Sequence, residues 1–396
     1  MITFEEALKI SLNQAVVSGI ETISFEEVAG RVLAENINSD MDMPPFDKSA
    51  MDGYACRRQD LALNLEVIEV IRAGIPPLMT VAAGKCAQIM TGAIIPEGAD
   101  TVIKVEDCEM IGVGSDKQST IRFTGEKTAP NICYRGEDIK TGELVLEAGI
   151  LLDTRHVPIL ATVGKVFIDV YRFPSIGILS TGTELVEPGE IPGPSQIRNT
   201  NAYQMIAQLG KIGIDSDYYG IATDDEDITR KMISDALNNN DILILSGGIS
   251  MGEFDFVPAV LQSLGLNVAF KQVAIQPGKP TLFATGNGKF VFGLPGNPVS
   301  SYFILELLVK PFIYKCMNHD WAPPVLRLKA ARQMTRKKSN RLSWMPVRID
   351  REGLVHEVEY HGSAHIFSLS AADGIIPVPI GKTTIEEGEF VDVRPL

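Results

Sequence analysis

Between residues 175 and 316 one figure repeats: a short apolar run, a turn, and then a segment with helical spacing. The apolar runs are "SIGILST", "DYYGIA", "DILILS", "VAFKQVAI", "TLFATG" and "FVFGLP". The helical segments are "NTNAYQMIAQLG", "DDEDITRKMISDALNN", "FDFVPAVLQSLG" and "NPVSSYFILELLVKPFIYKCM". A strand that is apolar at nearly every position must be buried on both faces. Helices returning between such strands make the sheet mostly parallel, with helices above and below. The pattern therefore predicts a three-layer α/β/α domain over 175–320. Any ligand belongs in the crevice beyond the carboxyl ends of its strands.

Four segments fall at those ends: "STGTEL" (180–185), "ATDDED" (222–227), "SGGISMGEFD" (246–255) and "GLPGNP" (293–298). Gly247 and Gly248 have no Cβ, so backbone N–H groups there can approach a phosphate, and Ser246 and Ser250 add hydroxyl donors. A tight strand-to-helix turn explains the two glycines equally well. Asn297 reads as an N-cap with Pro298 at the first helical position, and that helix N-terminus favours an anion. The acidic residues Glu184, Asp224 and Asp255 would repel the same anion. A hard divalent cation between them resolves the conflict, because Mg²⁺ is held by one or two carboxylates plus substrate phosphates. For Asp224 and Asp225 plain helix capping is the competing account. Lys279, in the Pro-Gly turn of "IQPGKP", is an anion contact or a solvated lysine.

Outside this stretch the chain changes character. "MITFEEALKISLNQ" reads as a helix capped at Thr3, with Glu6 in the capping-box position. Residues 27–145 carry short strands and frequent turns and read as a β-rich domain, with 45–54 set to pack on the α/β domain. "TRHVPILATVG" (154–164) is a short helix with Thr154 as N-cap and Gly164 as its stop, packing with the N-terminal helix. Residues 1–26 and 146–174 then form one discontinuous helical domain, and 321–396 a separate C-terminal β domain of barrel-like character.

The net charge of −14 argues against a nucleic-acid or anionic-membrane surface. No run of about 18 apolar residues predicts a membrane span. Five widely spaced cysteines without a CxxC suit a reduced, cytoplasmic setting. "HGSAH" places His361 and His365 four apart, but in a segment without helical character, so a histidine–metal site is not expected there. The chain has no P-loop, GxSxG or HExxH.

Seven stretches occur in one order: "SAMDGYA", "MTGAIIPEGADTVIKVE", "RGEDI", "STGTEL", "SGGISMGEFDF", "QPGKP" and "GLPGNPVSS", followed by "GSAHIFSLSAADGIIPVP" (362–379). With them the chain resembles the molybdopterin molybdenumtransferase family over essentially its full length, and is similar to the C-terminal domain of gephyrin. The resemblance implies an elongated, four-domain subunit whose α/β domain has the molybdopterin-binding fold. It also implies a homodimer with the active site near its interface. The implied reaction inserts molybdenum from molybdate into adenylylated molybdopterin and releases AMP, with Mg²⁺ or a similar cation. Carried over by motif, Asp52, Thr91, Asp138, Glu184, Asp224 and Asp255 are the catalytic candidates, with Glu184, Asp224 and Asp255 on the metal. Ser246, Gly247, Gly248, Ser250, Lys279, Pro295, Gly296, Asn297 and Pro298 are the binding candidates, joined by Arg341 and Ser363 from the last domain. The implied partners are a second copy, the molybdopterin adenylyltransferase and proteins of molybdoenzyme maturation.

Two departures stand out. Thr183 occupies a position where the family often has aspartate, and Gln276 one where lysine is frequent. Losing that lysine predicts a raised molybdate requirement. The alternative functions are the adenylyltransferase acting one step earlier and a non-catalytic, gephyrin-like dimeric scaffold. Nothing in the residues separates molybdate from tungstate.

Overall fold

The computed structural model describes residues 1–113, 119–249, 256–360 and 362–396. The expected α/β domain is built on a six-stranded sheet. Its strands run in the spatial order Ser216–Ala222, Ile176–Thr181, Ile242–Ser246, Lys289–Leu294, Leu282–Gly286 and Asn267–Phe270. The first four are parallel; Leu282–Gly286, joined to Lys289–Leu294 by a tight turn, runs antiparallel to both its neighbours, so the edge strand Asn267–Phe270 again points the same way as the first four. Alternate residues of each strand face opposite ways, and the two faces bury separate cores. Ile176, Ile178, Ile242, Ile244, Phe290 and Phe292 pack under the helices Asn201–Gly210 and Pro298–Ile304. Leu179, Leu243, Leu245 and Val291 pack under Glu226–Asn239 and Val257–Ser263. The three layers follow directly from strands that are apolar on both sides.

The long helix after Asn297 is not uniformly α-helical. Leu305–Val309 widens to a π turn between Pro298–Ile304 and Lys310–Cys316. Pro311 explains this: it has no N–H to donate, and in an α-helix its ring would meet the carbonyl four residues back.

The run "VAFKQVAI" divides between two domains. Asn267–Phe270 forms the sheet edge, but Ile275–Gln276 pairs in parallel with Leu342–Ser343 of the C-terminal domain. Strand character continues through both halves, so periodicity gave no sign of the change of partner. The C-terminal strands Leu326–Ala330, Leu354–Glu357, Leu342–Ile349, Gly374–Val378 and Phe390–Pro395 pair in a ring that closes on itself. This five-stranded closed barrel holds its own core around Val347, Val355, Ile376 and Val393.

At the N-terminus the capping box forms as expected. The Thr3 hydroxyl accepts from the Glu6 N–H at 3.1 Å, and the Glu6 carboxylate accepts from the Thr3 N–H at 2.8 Å. The helix Phe4–Leu12 does not pack with the 154–164 helix. Its buried face, Phe4 and Ala7, joins the core beneath the α/β sheet, beside Lys310–Cys316. The helix His156–Thr162 packs instead on Phe25–Glu27 and a core of Leu33, Leu152, Leu160 and Ile168. Thr154 does not cap it: Arg155 takes the N-cap position without a side-chain bond, and Asp153 accepts from the His156 N–H through its carbonyl. Gly164 does end it, at φ +68, with Gly164 N bonded to the Ala161 carbonyl and Lys165 N to that of Leu160. Ile20–Ser24 and Phe167–Tyr171, distant in sequence, form a two-stranded antiparallel ribbon in the same unit.

A second six-stranded sheet comprises Thr101–Lys104, Gly53–Cys56, Lys85–Ile89, Asn64–Ile71, Ser119–Phe123 and Cys108–Val113. Segment 45–54 packs here and not on the α/β domain. Lys48–Ser49 pairs with Ile132–Cys133, and Gly53–Cys56 sits between two partner strands. Gly53 makes this possible, because a Cβ there would lie 1.9 Å from the Ile103 carbonyl oxygen.

Candidate active site

Parallel register brings the four strand ends to one edge. Thr181 pairs with Ala222, Ser180 with Ser246, and Ser246 with Leu294. Beyond that edge opens a cleft of about 790 Å³. Glu184, Ser246, Gly247, Pro295, Gly296, Asn297 and Pro298 line it, so seven of the sequence candidates meet in one place.

The Ser246–Gly248 turn is held very tightly. Gly247 and Gly248 have φ of +89 and +64. A Cβ at Gly247 would lie 2.5 Å from the Thr181 carbonyl oxygen, and one at Gly248 2.6 Å from the Thr181 hydroxyl. Both glycines are thus required by backbone conformation and by close approach.

Asn201, which the sequence reading treated only as part of a helix start, ties the site together. Its side-chain amide donates to Ser246 Oγ at 2.8 Å and to the Gly296 carbonyl at 2.8 Å. The Pro295 carbonyl, at 3.5 Å, lies on the same side. Facing carbonyls fix which end of the amide is nitrogen. Ser246 Oγ must therefore accept from Asn201, which leaves its own hydrogen to donate elsewhere. The signal in the sequence was the "NTN" placed just ahead of a helix, a pattern that also serves ordinary capping.

Around Asn201 a polar chain holds the 187–198 loop. Ser180 Oγ donates to Asn199 Oδ1, and Asn199 Nδ2 to the Tyr218 hydroxyl. Tyr218 and Tyr203 both donate to the Glu187 carboxylate, at 2.7 and 2.8 Å. Burial and the Glu187 bond push the Tyr218 phenol well above its ordinary range, so it stays a donor.

The helix N-terminus at 298 is less open to an anion than expected. Pro298 has no N–H, and the Val299 N–H is taken by the Ser363 carbonyl at 3.1 Å. Asn297 holds the N-cap position, but its side chain donates to Ser363 Oγ at 2.8 Å and does not cap. Ser363 thereby docks the barrel against the helix start.

Asp225, not Asp224, caps Glu226–Asn239, accepting from the N–H groups of Asp227 and Ile228. Asp224 instead accepts from the Thr183 hydroxyl at 2.5 Å and the Thr183 N–H at 3.2 Å. An aspartate at 183 would repel Asp224, so threonine has a local reason to stand there. Asp224 does not line the cleft, and Asp255 and Ser250 lie outside the described residues. Among the described residues no three His, Cys, Asp or Glu side chains gather as a metal site.

Lys279 is exposed on the turn whose Pro280 lines the cleft. Arg341 donates to the Ile275 carbonyl at 3.1 Å. It lines a second cavity, of about 580 Å³, with Gln276, Arg336, Lys337 and Lys338. Asp52, Thr91 and Asp138 are not on the cleft wall; they belong to the β-rich part of the chain. There Asp52 accepts from the Thr91 N–H at 2.7 Å and the Thr91 hydroxyl at 2.8 Å. These two bonds hold the Asp52 carboxyl below the usual carboxylate range. Asp138 is exposed on the loop after Arg135, with its N–H bonded to the Met43 carbonyl.

Family models match in three consecutive blocks. These are the MoeA N-terminal region (domain I and II) over 2–164, a probable molybdopterin binding domain over 177–315, and the MoeA C-terminal region (domain IV) over 327–396. A molybdopterin molybdenumtransferase of Haemophilus influenzae is 36% identical over 405 residues, covering all of this chain and 98% of its own. One from Staphylococcus epidermidis is 33% identical over 99% of this chain and 95% of its own. The chain belongs to the MoeA family. Like those relatives it is a transferase of molybdenum cofactor biosynthesis. The MoeA protein of Pyrococcus horikoshii OT3 has the same fold, with a TM-score of 0.84 at 29% identity and complete coverage of both chains. The MoeA-like architecture thus accounts for the mixed sheets and the closed barrel together. No helix among the described residues is long and apolar enough to cross a membrane.

Proposed function

We propose that this chain inserts molybdenum from molybdate into adenylylated molybdopterin and releases AMP, in a divalent-cation-dependent reaction. The observation that carries the reading is the cleft at the sheet edge, which Ser246, Gly247, Asn201 and Glu184 line together, with the Asn201 amide bonded to Ser246. The Gly247 N–H is taken by the Leu294 carbonyl at 3.1 Å, but the Ser246 hydroxyl suits a phosphate oxygen, and the apolar Pro192, Ile197 and Ile366 on the lining suit a ring system.

A hard cation takes one or two carboxylates together with phosphate oxygens. Glu184 supplies one carboxylate at the cleft; Asp224, bonded to the neighbouring Thr183, and Asp255 are the other expected ligands. When bound, such an ion would neutralise charge on the phosphoanhydride that breaks as AMP leaves. The residues of this chain would hold the anhydride, exclude water and keep Ser246 a donor.

The function also needs Asp52, Thr91 and Asp138, which lie away from the cleft. A homodimer in which one copy presents these residues to the cleft of the other supplies them. Molybdate would enter beside Arg341, Lys279 and Ser363, where the barrel meets the sheet.

The test is AMP release from adenylylated molybdopterin and Mg²⁺, with and without molybdate. Molybdate-dependent release with active cofactor formed is the expected result. Tight pterin binding without AMP release would favour a scaffold instead.

A further inference from the structure

We infer that Arg198 is the phosphate-gripping residue of the cleft and takes the pyrophosphate bridge of the nucleotide-linked substrate; the inference rests on the reading above. Among the described residues lining the cleft, Arg198 is the one positively charged side chain and Glu184 the one negatively charged. An anion meeting these walls finds its compensating charge on Arg198.

Three observations suit Arg198 to that role. Its Nε–H donates to the Glu190 carbonyl at 3.2 Å, which anchors the guanidinium at its base and leaves the two terminal nitrogens for a ligand. Among the described residues it has no ion-pair partner. Of the two glutamates on its loop, Glu187 is already occupied by the Tyr203 and Tyr218 hydroxyls, and Glu190 is the residue whose backbone carbonyl accepts from Arg198. Its backbone is also fixed beside the carboxylate residue. Ile197–Arg198 pairs with Leu185–Val186, and the Ile197 N–H donates to the Glu184 carbonyl at 2.8 Å, which sets the exposed Arg198 one residue along from a direct backbone bond to Glu184. The planar fork of arginine binds two phosphate oxygens at once, which a lysine does not.

The other donors expected for the anion make this charge more important. The Val299 N–H at the facing helix is spent on Ser363, and Pro298 has none. Ser246 supplies a hydroxyl but no charge.

The test is binding of inorganic pyrophosphate to full-length protein in the presence of a chelator, by calorimetry, for wild type, Arg198→Gln and Arg198→Lys. Glutamine keeps a donor for the Glu190 carbonyl on an exposed strand, and an unchanged unfolding midpoint confirms the fold. A charge-assisted fork predicts roughly tenfold or greater weakening in Arg198→Gln, with partial recovery in Arg198→Lys. The wild-type affinity should also fall more steeply with salt than that of Arg198→Gln. Equal affinities in wild type and Arg198→Gln overturn the assignment. Absence of pyrophosphate binding by wild type overturns the Arg198 assignment and leaves the cation-dependent activity to the AMP-release test. Arg198-dependent binding without molybdate-dependent AMP release sinks the activity but leaves Arg198 as the anion's partner.

Discussion

Replacing Asn201 tests how the cleft is held together. The side chain is nearly buried and its two amide hydrogens are both used, on Ser246 Oγ and on the Gly296 carbonyl. In Asn201→Ala both acceptors lose their partner, but each borders the cleft and can turn to water. At about 0.5–1.5 kcal/mol net for each bond, the loss is about 1–3 kcal/mol. Asn201→Asp keeps the shape and reverses the polarity. Its carboxylate faces the Gly296 carbonyl and draws the Ser246 proton inward, away from the cleft. The aspartate variant should therefore bind pyrophosphate more weakly than the alanine variant, although it is the closer mimic in size. Trp344 lies in the core beneath the sheet and Trp321 packs against it, so tryptophan fluorescence in urea reports the stability of this part. Calorimetry reports the binding. Stability of Asn201→Ala within 0.5 kcal/mol of wild type would refute the bridging role, and wild-type pyrophosphate affinity in Asn201→Asp would refute the proton argument.

Gly247→Ala should cost about 1–3 kcal/mol, because it forces both a left-handed backbone and a clash with the Thr181 carbonyl, whereas Gly296→Ala, with open space around it, should be nearly silent in the same urea titration. Thr91→Val removes one of the two Thr91 bonds to Asp52, so the Asp52 carboxyl should titrate higher than in wild type, as followed by carboxyl-carbon NMR. The sign follows from linkage: a depressed carboxyl stabilises the fold above its unfolded value, and that contribution disappears as pH falls through the folded value. An unmoved titration in Thr91→Val would contradict the assigned cause. Gln276→Lys adds a positive charge to the cavity that holds Arg341, and half-saturation of AMP release should then need less molybdate; identical titration curves would count against that cavity as the entry site.

The layered architecture was legible because it rests on patterning that local sequence displays. Ile176, Ile178, Ile242 and Ile244 alternate with Leu179, Leu243 and Leu245, and both sets had to be covered. The four strand ends followed from parallel pairing, and with them most of the cleft. The Thr3–Glu6 box and the Gly164 stop were legible for the same reason, since both are local. What escaped were choices between equally good partners. Asn201 could have capped its helix and bridges two turns instead. Asn297 sits at a cap but spends its amide on Ser363, sixty-six residues away. Asp224 and Asp225 were interchangeable as caps until Thr183 claimed one of them. Ile275 kept its strand character while changing domains. Arg198 carried no motif, and it stands out only once the other described residues of the cleft prove to include no second cation.

That change of domains has a mechanical consequence. A short stretch of chain, leaving the sheet at Phe270 and pairing with the barrel at Ile275, welds them into one body. Swinging the barrel outward would break the Leu342 N–H to Ala274 bond, the Arg341 bond to Ile275 and both bonds to Ser363. At about 0.5–1.5 kcal/mol each, those four bonds make the parted state a minor one before any apolar contact is counted. The β-rich sheet hangs differently, on two chain segments near Ile37–Asn38 and Leu144–Leu146 that pair with each other. The molecule thus has one stiff joint and one slender stalk, and the slender one carries Asp52 and Thr91. Whatever travel a catalytic cycle demands is cheapest at the stalk, where the aspartate-bearing sheet can shift without disturbing the cleft walls.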